Sequence, residues 1–357
     1  SAVGRQAVLP LSLPDRISER QQMFAPKSGL RSIATLITTI ATASSLALGI
    51  ATAASASPTP ASVDKSPATL AFLDRAFVNN EIALYGAPEY GVTIEAMLQR
   101  RAGGYSLIKQ LGPIKHLFTD RAVIGYNKVG YLYTATGALR TGRTGMFLFA
   151  SKALGVANGP LQNVFYAELK STIATDGSVA LAKGNTVEYA WIALGLHAYG
   201  QDALANKVLG YAEAHQNGDG GFAGWSSASS TDGTGLALQA EAALRTFGGA
   251  KVVAGRKLSI GKAVAFLRRT IIDGDHWQSD NGDGSFSADV NGSAYAAMGM
   301  KAVGLDIAKQ SAWFRSQLAD DGGIKSAWSG ANGDTFATAQ AYAPMIGKTY
   351  LGLLPTK

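Results

Sequence analysis

Acidic side chains recur near the predicted starts of helices, and they are the groups in this chain best suited to acid–base chemistry. The four candidates each lie within two residues of a threonine: Glu95, Glu188, Asp232 and Asp334. A pair of carboxylates can cleave a glycosidic bond when the two stand about 5 Å or roughly 6.5 to 9.5 Å apart. A carboxylate in the first turn of a helix also stabilises the positive end of the helix dipole without any catalytic part. Both interpretations stay open on the sequence, and the structural one is favoured for Glu95 and Glu188.

Hydroxyl residues mark six helix starts, which sets where those carboxylates lie. The starts are Thr93, Thr144, Thr186, Thr234, Ser293 and Thr335, at intervals of 42 to 59 residues. Each of the apolar runs that follow stops at a glycine, namely Gly103, Gly155, Gly200, Gly248, Gly304 and Gly347. A Ser or Thr at the N-cap accepts a hydrogen bond from an otherwise unpaired backbone N–H, and glycine takes the left-handed conformation that ends a helix. The pattern therefore predicts six capped helices of similar length.

A second helix precedes each of the six loops. These helices are predicted at about 68–78, 113–126, 161–173, 202–216, 259–272 and 306–318. The post-loop helices are richer in Ala, Gly and aromatic residues and poorer in charge, and a helix that is apolar nearly all round is buried on most sides. One hairpin cannot bury its apolar face alone, whereas a stack of repeats can. The sequence thus predicts six helical hairpins, with the post-loop helices inside and the pre-loop helices outside.

A Gly-rich turn in the fourth loop carries a resemblance to a known family. Gln216 stands ahead of an Asp-Gly-Gly-Phe run at 219–222, and related runs lie at 277–286, 317–323 and 176–178. They resemble the Gln-Trp repeat of the prenyltransferase and squalene oxidase repeat proteins. The resemblance implies an all-α fold, an alpha/alpha toroid of six inner and six outer helices around a central cavity, as in terpenoid cyclases and protein prenyltransferases. The layout is also similar to that of secreted, actinobacterial-type repeat proteins.

The activities best known for that family need residues that this chain lacks. Triterpene cyclases of the family protonate their substrate with an Asp-x-Asp-Asp motif, and the nearest run, at 318–321, has no acid at its first position. The protein prenyltransferases hold zinc with Asp, Cys and His, and this chain contains no cysteine. An Asp-Asp-x-x-Asp diphosphate motif is missing as well. These departures favour a non-catalytic protein, and enzyme activity stays undecided.

No metal or cofactor site is predicted from the sequence. The loop at 279–290 looks like a calcium loop but has Ser279 at its first position and Val290 at its twelfth, where an EF-hand needs acidic ligands. None of the four histidines has a second histidine at metal-ligand spacing. Asp, Asn and Gly in these loops are expected for turns alone. We therefore expect no metal and no cofactor.

The N-terminal region predicts export. Met23 is followed by a short basic region, an apolar run at 33–50 and the small residues Ala54-Ser55-Ala56, which are the three parts of a secretory signal peptide. A membrane anchor is the alternative, because the apolar run is about as long as a spanning helix. Its Thr and Ser content favours the signal peptide. The protein is then expected to be secreted by a bacterium, with no membrane association after cleavage.

These features define the predicted domain boundaries. Residues 1–22 lie upstream of Met23 and are not expected in the native protein, and the segments that follow are a signal peptide at 23–56, a flexible linker at 57–67, the toroid of six hairpin repeats at 68–350 and a C-terminal tail at 351–357. The formal charge of the whole chain is +7, and removing residues 1–56 takes away five basic and two acidic residues, leaving +4. No basic stripe with interleaved aromatics is visible, so nucleic acid is not an expected partner. We expect a monomer.

Two classes of function remain open. The first is a binding protein whose cavity holds an apolar or amphipathic small molecule, with the predicted lining residues Arg143, Tyr189, Tyr295, Phe336 and Gln340. The second is a carbohydrate-active or terpenoid-type enzyme that uses the four carboxylates at the mouth of the cavity. Because all six inner helices are expected to run parallel, their N-termini would meet at one mouth and attract an anionic or strongly polar group, although the four carboxylates partly neutralise that field. The competing expectation is that aromatic side chains fill the centre and leave no cavity.

Overall fold

Helices form most of the computed structural model, which describes residues 66–125, 127–156, 159–180, 182 and 185–355. The α-helices are α1 (Ser66–Ala76), α2 (Tyr90–Ala102), α3 (Leu111–Thr119), α4 (Arg121–Ile124), α5 (Thr141–Ala153), α6 (Pro160–Ser171), α7 (Thr186–Ala198), α8 (Asp202–Ala214), α9 (Thr231–Ala243), α10 (Ala250–Thr270), α11 (Val290–Ala302), α12 (Ala308–Ser316) and α13 (Thr335–Met345). Two short 3₁₀ helices span Ile108–Gln110 and Leu351–Leu353. Apart from the four-residue α4, these α-helices alternate between an outer and an inner position.

Short antiparallel strands lie in three of the loops that lead from an outer helix to the next inner helix. They are β1 (Phe77–Val78), β2 (Glu81–Leu84), β3 (Ala87–Pro88), β4 (Phe222–Ala223), β5 (Ser229–Ser230), β6 (Gln278–Asp280) and β7 (Phe286–Ala288). β1 to β3 form one small sheet, and β4–β5 and β6–β7 form two hairpins. In the β4–β5 hairpin Phe222 pairs with Ser230. The strands stiffen the loops and form no core of their own.

Burial separates the two layers. In the inner helix α9 every residue from Gly233 to Glu241 is buried, whereas the outer helix α8 buries only Ala205, Val208, Leu209 and Ala212. The second pattern is a single stripe at helical spacing, as expected for a helix that packs on one side. Each inner helix contacts the next one along the chain, and the last, α13, contacts the first, α2. The inner helices therefore close into a ring, and the predicted all-α toroid is confirmed.

Two pairs of inner helices approach each other through glycine. A Cβ atom added to Gly145 of α5 would lie 2.6 Å from the backbone N of Ile192 in α7, and one added to Gly235 of α9 would lie 2.2 Å from the carbonyl oxygen of Tyr295 in α11. Gly195 and Gly299 are equally confined on the opposite helices. Backbones this close leave no room for a side chain between them. The centre of the ring is correspondingly narrow.

The interpretation of the hydroxyl residues as N-caps is wrong for all six helices. Thr93, Thr144, Thr234 and Ser293 lie three residues after the start of their helices, and Thr186 and Thr335 occupy the first helical position. Several of these hydroxyls serve the loop instead, since Thr234 Oγ1 accepts a hydrogen bond from Phe222 N at 2.9 Å and Ser293 Oγ accepts one from Trp277 N at 2.9 Å. The caps with side-chain bonds are Asn185, Ser230, Asp289 and Asp334. The predicted cap therefore lies about one helical turn after the true cap in four helices and one residue after it in the other two. The sequence pattern alone does not distinguish these positions.

The Asp-Gly turns hold each repeat against the next outer helix. Gly220 has φ +89°, and an added Cβ would lie 2.6 Å from the carbonyl oxygen of Lys262 in α10. Gly322 has the same φ, and an added Cβ would lie 2.6 Å from the carbonyl oxygen of Ala68 in α1. Only glycine adopts this conformation without strain and also leaves space for the neighbouring backbone. The last turn thereby joins the sixth repeat to the first and completes the outer layer.

The observed boundaries differ from the predicted ones at a few places. Helix α1 begins at Ser66, two residues before the predicted start of the domain. Helix α10 begins at Ala250, nine residues earlier than predicted, because its first two turns carry lysines and Gly255 that interrupt the apolar pattern. The predicted signal peptide, the residues before it and most of the linker lie outside the described residues. The predicted tail begins with the 3₁₀ helix Leu351–Leu353, which packs against the main core.

Candidate functional site

A chain of hydrogen bonds crosses the middle of the ring. The carboxylate of Glu95 in α2 accepts bonds from the Tyr295 hydroxyl of α11 and from Gln340 Nε2 of α13, the latter at 2.7 Å. Asn291 Nδ2 donates in turn to Gln340 Oε1 at 2.6 Å. Glu95 is only 4% exposed, and burial raises its pKa to about 7. The three inner helices are thus joined by a polar layer whose central acid is partly protonated near neutral pH.

Tyr350 fills the ring on the far side of that layer. Its backbone N donates to Gln239 Oε1 of α9 at 3.2 Å, and its hydroxyl accepts from Gln99 Nε2 of α2 at 3.0 Å. Its ring lies 5.8 Å from Trp191 of α7 and 6.3 Å from Tyr295 of α11, measured between ring centroids. A residue whose side chain contacts three of the six inner helices and whose backbone contacts a fourth lies at the centre of the ring. The end of the ring where the inner helices finish is therefore closed by the C-terminal segment.

The opposite end, where the inner helices begin, carries polar and charged side chains that we call the bowl. Its floor is the polar layer of Glu95, Tyr295, Gln340 and Asn291. Half-buried charged side chains surround it on the first turns of the inner helices or just before them: Glu89, Arg140, Arg143, Glu188, Asp232, Asp289 and Asp334. Five of these are acidic and two are basic, and this excess of carboxylates is expected where six helix dipoles point their positive ends.

One wall of the bowl combines a cation with an aromatic ring. The Arg143 guanidinium lies 4.9 Å from the centre of the Tyr131 ring, and Tyr131 meets Tyr90 edge-on at 5.6 Å. Glu188 accepts a bond from Thr141 Oγ1 at 3.2 Å. Burial raises the pKa of Glu188, and the Thr141 bond and the charge of Arg143 oppose that rise. This wall offers both a hydrogen-bonding carboxyl and a flat apolar surface.

The other wall is acidic. Asp289 caps α11 by accepting from Gly292 N at 2.9 Å, and burial raises its pKa to about 6, with the charge of Asp232 adding to the rise. Asp334 is occupied on both oxygens, because Oδ1 accepts from Ala337 N at 3.0 Å and Oδ2 from Ser326 Oγ at 2.6 Å. Asp334 is therefore a structural cap. Asp232 and Asp289 are the carboxylates on this wall with capacity for a ligand.

The structure brings some of the predicted site residues together and separates others. Arg143, Tyr295, Gln340 and the carboxylates lie in or under the bowl. Tyr189 lies between the layers, where its hydroxyl accepts from Val179 N at 3.0 Å and its ring stacks on Tyr211 at 5.2 Å. Phe336 packs against the small apolar cluster around Leu73, away from the floor. Both residues were expected on the cavity lining because the sequence shows how far along a helix each residue lies. It does not show in which direction around the helix the side chain points.

Several residues of the bowl were not expected from the sequence. Asp289 precedes its helix in the same way that Asp334 does, and that local pattern was a usable signal. Tyr131 and Tyr350 carried no such signal. Tyr131 comes from a loop without the Asp-Gly-Gly turn, and Tyr350 is 251 residues from its partner Gln99. Both positions depend on contacts between distant parts of the chain.

Two adjoining clefts lie outside the ring. A cleft of about 420 Å³ separates the outer helices α8 and α10, and an adjoining one of about 230 Å³ extends it. Between these helices Arg256, fully buried, pairs with Glu213 at 2.6 Å. Glu241 is also fully buried, neither of its carboxylate oxygens has a hydrogen-bond partner among the described residues, and burial raises its pKa to about 8. This acid lies behind the cleft and does not line it.

The described residues contain neither a candidate metal site nor a helix that could span a membrane. No group of three or more His, Asp or Glu residues is placed to hold a metal ion. No helix in that part of the chain is both long and apolar enough to cross a membrane.

Solved structures with the same architecture include an enzyme of terpene chemistry. The apo form of the type II terpene cyclase MstE from Scytonema is 16% identical, with a TM-score of 0.56 over 79% of this chain and 97% of that one. A single-residue variant of the same cyclase, in complex with the substrate geranylgeranyl dihydroxybenzoate, is 15% identical, with a TM-score of 0.54 over 82% of this chain and 97% of that one. At such identities the similarity shows the fold alone.

A second similar structure acts on carbohydrate. Unsaturated glucuronyl hydrolase from Bacillus sp. GL1, described as responsible for degradation of glycosaminoglycan, is 12% identical, with a TM-score of 0.50 over 79% of this chain and 94% of that one. No protein-family model matches the chain, and no curated protein matches it. The terpenoid cyclase-like toroid is therefore established as a fold, and the repeat-family resemblance stays a prediction.

Proposed function

We propose that the protein binds a small amphipathic molecule without catalysis, and that the polar group of this ligand occupies the bowl. The observation that carries the proposal is the contrast between the ends of the ring. Tyr350 closes one end, whereas the other presents half-buried polar side chains above a hydrogen-bonded floor. A depression with a few convergent polar groups and carboxyls of raised pKa is the usual form of a small-molecule site.

Charge restricts the ligand to a neutral or cationic polar group. Asp232 and Asp289 stand on one wall, and Glu188 balances Arg143 on the other. A diphosphate would face this excess of carboxylates and is disfavoured by direct repulsion. The apolar part of the ligand would lie against Tyr90, which is only half-buried, because the centre of the ring is already filled. The site is consequently shallower than the deep cavity that the family resemblance implied.

The test measures ligand capture from an extract of the producing cells by native mass spectrometry. Arg143→Gln with Asp232→Asn should lose the captured mass while the melting temperature stays unchanged, because both side chains are half-exposed. The matched control is Arg268→Gln with Asp306→Asn, which makes the same chemical changes at exposed positions outside the bowl. Equal capture by the two variants, or no captured mass in the parent protein, would contradict the proposal.

A terpenoid-type or carbohydrate-active enzyme is the second candidate, and the raised pKa of Glu95 favours it. A carboxylic acid that is still protonated near pH 7 can act as a general acid. Against it, both oxygens of Glu95 are already hydrogen-bonded and the residue is nearly inaccessible. Incubation with geranylgeranyl dihydroxybenzoate and with a panel of aryl glycosides tests this candidate. Turnover that Glu95→Gln or Asp289→Asn abolishes would replace binding by catalysis as the function.

We also propose that the protein is exported as a monomer. The support for export is the signal-peptide pattern at 23–56, which lies outside the described residues. N-terminal sequencing of protein from the culture medium should give a start near Ser57. Sedimentation of the same material should give one species near the mass of the mature chain.

A further inference from the structure

Four large aromatic side chains are exposed on the loops at the bowl end of the ring. They are Tyr85, Trp225, Phe286 and Trp328, which are 90%, 70%, 62% and 76% exposed. We call this set the aromatic rim. Each belongs to a connection from an outer helix to an inner helix, so all four lie at the same end of the toroid. Exposed apolar groups of this size, gathered on one face, mark an interaction surface.

The rim occupies consecutive repeats. Trp225, Phe286 and Trp328 belong to the fourth, fifth and sixth repeats, and Tyr85 belongs to the first, which the contact between α13 and α2 places next to the sixth. The aromatic residues therefore follow one continuous arc of the circumference. The second and third repeats contribute no large exposed aromatic residue within the described parts of their loops. An arc of this kind suits an elongated partner better than a compact one.

Three residues of the aromatic rim lie in β-hairpins or in a hydrogen-bonded turn. Trp225 lies between β4 and β5, and Phe286 lies in β7 of the next hairpin. Trp328 lies within a turn in which Ser329 Oγ accepts from Ser326 N at 3.0 Å. Side chains on such stiff supports are already placed for binding, so less conformational entropy is lost when a partner is engaged.

Charge on the same four loops identifies the class of partner. Without the bowl residues Glu89, Asp289 and Asp334, the loops at 77–89, 215–230, 271–289 and 317–334 contain eight Asp or Glu residues and a single Lys or Arg, which is Lys325. Nucleic acids, acidic polysaccharides and anionic membranes would all be repelled by this surface. A partner that is uncharged and rich in hydroxyl groups would not be. Carboxylates accept hydrogen bonds from hydroxyls, and those bonds are stronger than neutral ones.

The turn aspartates have acceptor capacity to spare. Asp219, Asp280 and Asp283 each use Oδ1 to accept backbone or hydroxyl bonds within their own loops. Their Oδ2 atoms accept no hydrogen bond from the described part of the chain. Each of these aspartates lies within a few residues of Trp225 or Phe286 along the loop. Exposed aromatic rings and carboxylate acceptors therefore occur on the same loops.

We propose that the aromatic rim binds a neutral polysaccharide chain. The faces of sugar rings are apolar C–H surfaces that pack against aromatic faces, and their edges carry hydroxyls that donate to carboxylates. A polymer can follow the arc from the fourth repeat to the first and engage several rings at once, which multiplies weak contacts. This surface lies outside the bowl, and its function is independent of any ligand bound there.

A zwitterionic membrane is the other partner that exposed Trp, Tyr and Phe could fit. Aromatic residues of this kind do sit at membrane interfaces. Here, however, the aspartates on the same hairpins would have to enter the interface with the rings, and charged groups lose hydration there without a paired partner. Basic residues, which commonly support membrane binding, are almost missing from these loops. The polysaccharide is therefore the occupant that both the aromatics and the charges fit.

Sedimentation with insoluble polymers tests the proposal. The panel is cellulose, amylose, xylan, β-1,3-glucan and mannan, with alginate as a polyanion and phosphatidylcholine vesicles as a membrane. We expect retention on at least one neutral polymer, a tenfold or greater loss of retention in Trp225→Ala with Trp328→Ala, and no flotation with vesicles. The matched control is Ile108→Ala, which removes an equally exposed apolar side chain from the opposite end of the ring.

The possible outcomes separate the alternatives. Retention on none of the neutral polymers, or equal retention of the parent and the double Trp variant, overturns the proposal. Flotation with vesicles that depends on the two tryptophans also overturns it, in favour of a membrane surface. Because both tryptophans are exposed, circular dichroism melts of the variants should match the parent, and any loss of retention then reports the rim. Arg143→Gln with Asp232→Asn should leave retention unchanged, so the rim and the bowl are tested separately.

Discussion

The two ends of the ring are built from the same parallel inner helices and differ in charge and in access. Carboxylates collect where the helices begin, including Glu188 and Asp232 in their first turns. Basic residues collect where the helices finish, including Arg100, Lys152 and Lys301 in their last turns. Both distributions follow the helix dipole, which favours negative charge at an N-terminus and positive charge at a C-terminus. The dipole explains the charges and does not explain why only one end is open.

Access is decided by the C-terminal segment. Lys348 Nζ donates to the carbonyl of Ala102 at the end of α2 at 2.6 Å, and two residues later Tyr350 enters the ring. At the bowl end no segment of the described chain plays that part, and the polar layer of Glu95 is the floor. The difference in access between the two ends therefore depends on the C-terminal segment, which covers only the end where the inner helices finish. Substitutions at the two ends should therefore differ in their effects on stability.

Removing Tyr350 should have the largest effect. Tyr350→Ala leaves a void among the inner helices and removes the hydroxyl that accepts from Gln99 Nε2, so we expect a loss of about 3 to 5 kcal/mol in the free energy of unfolding. Chemical denaturation followed by circular dichroism measures it. The matched control is Tyr85→Ala, because Tyr85 is exposed and should be nearly neutral. Equal effects of the two substitutions would mean that the closed end is not closed by Tyr350.

The floor of the bowl should make stability depend on pH. The pKa of Glu95 is raised from 4.5 to about 7, so between those pH values the folded protein holds a proton that the unfolded chain has released. Stability contributed by this group is therefore greatest at low pH and falls as pH rises through that window. Glu95→Gln imitates the protonated form and should remove a decline of about 3 kcal/mol by pH 8.

The measurement for Glu95 is the free energy of unfolding at several pH values from 4 to 8. Asp320→Asn, at an exposed position, is the control and should leave the pH profile of the parent unchanged. Parallel curves for the parent and Glu95→Gln would show that the carboxyl is not held protonated by the floor. Glu241 titrates in the same direction with a pKa of about 8, so some decline should persist in the variant.

The attachment of the C-terminal segment should give the smallest effect. Lys348→Ala removes one charge-assisted hydrogen bond to the end of α2, and the expected loss is about 0.5 to 1.5 kcal/mol. Lys257→Ala, on the exposed face of α10, provides the matched control. A difference of melting temperature between the two variants measures the bond. If they melt together, Tyr350 alone holds the segment in place.

Much of the architecture could be predicted because its signals are local. The number of hairpins, the assignment of layers and the closing glycines follow from helical periodicity and turn chemistry within about forty residues. The true caps were missed by one turn in four helices and by one residue in the two that begin at Thr186 and Thr335, because a hydroxyl just inside a helix and a hydroxyl at its start have the same sequence context. Helix α10 was predicted too short for a similar reason, since its charged first turns have no apolar period.

The candidate site was predictable only in part. Arg143, Glu188 and Asp232 were found because they lie near helix starts, and all inner helices start at one end. Tyr189 and Phe336 were placed on the cavity wall, but they face other helices. A residue's direction around an inner helix depends on how far each helix is rotated against its neighbours. The close glycine contacts at Gly145 and Gly235 set that rotation, and they join helices about fifty residues apart or more.

The amino-acid sequence by itself determined the six hairpins, their inner and outer layers and the charge at each end, because propensity, capping and dipoles act within one or two helical turns. Only the tertiary structure decided that the ring closes on a filled centre. That outcome depends on Tyr350 meeting Gln99, 251 residues away, and on Gln340 meeting Glu95, 245 residues away. Contacts at such separations form once all the intervening helices are packed, and no local pattern encodes them.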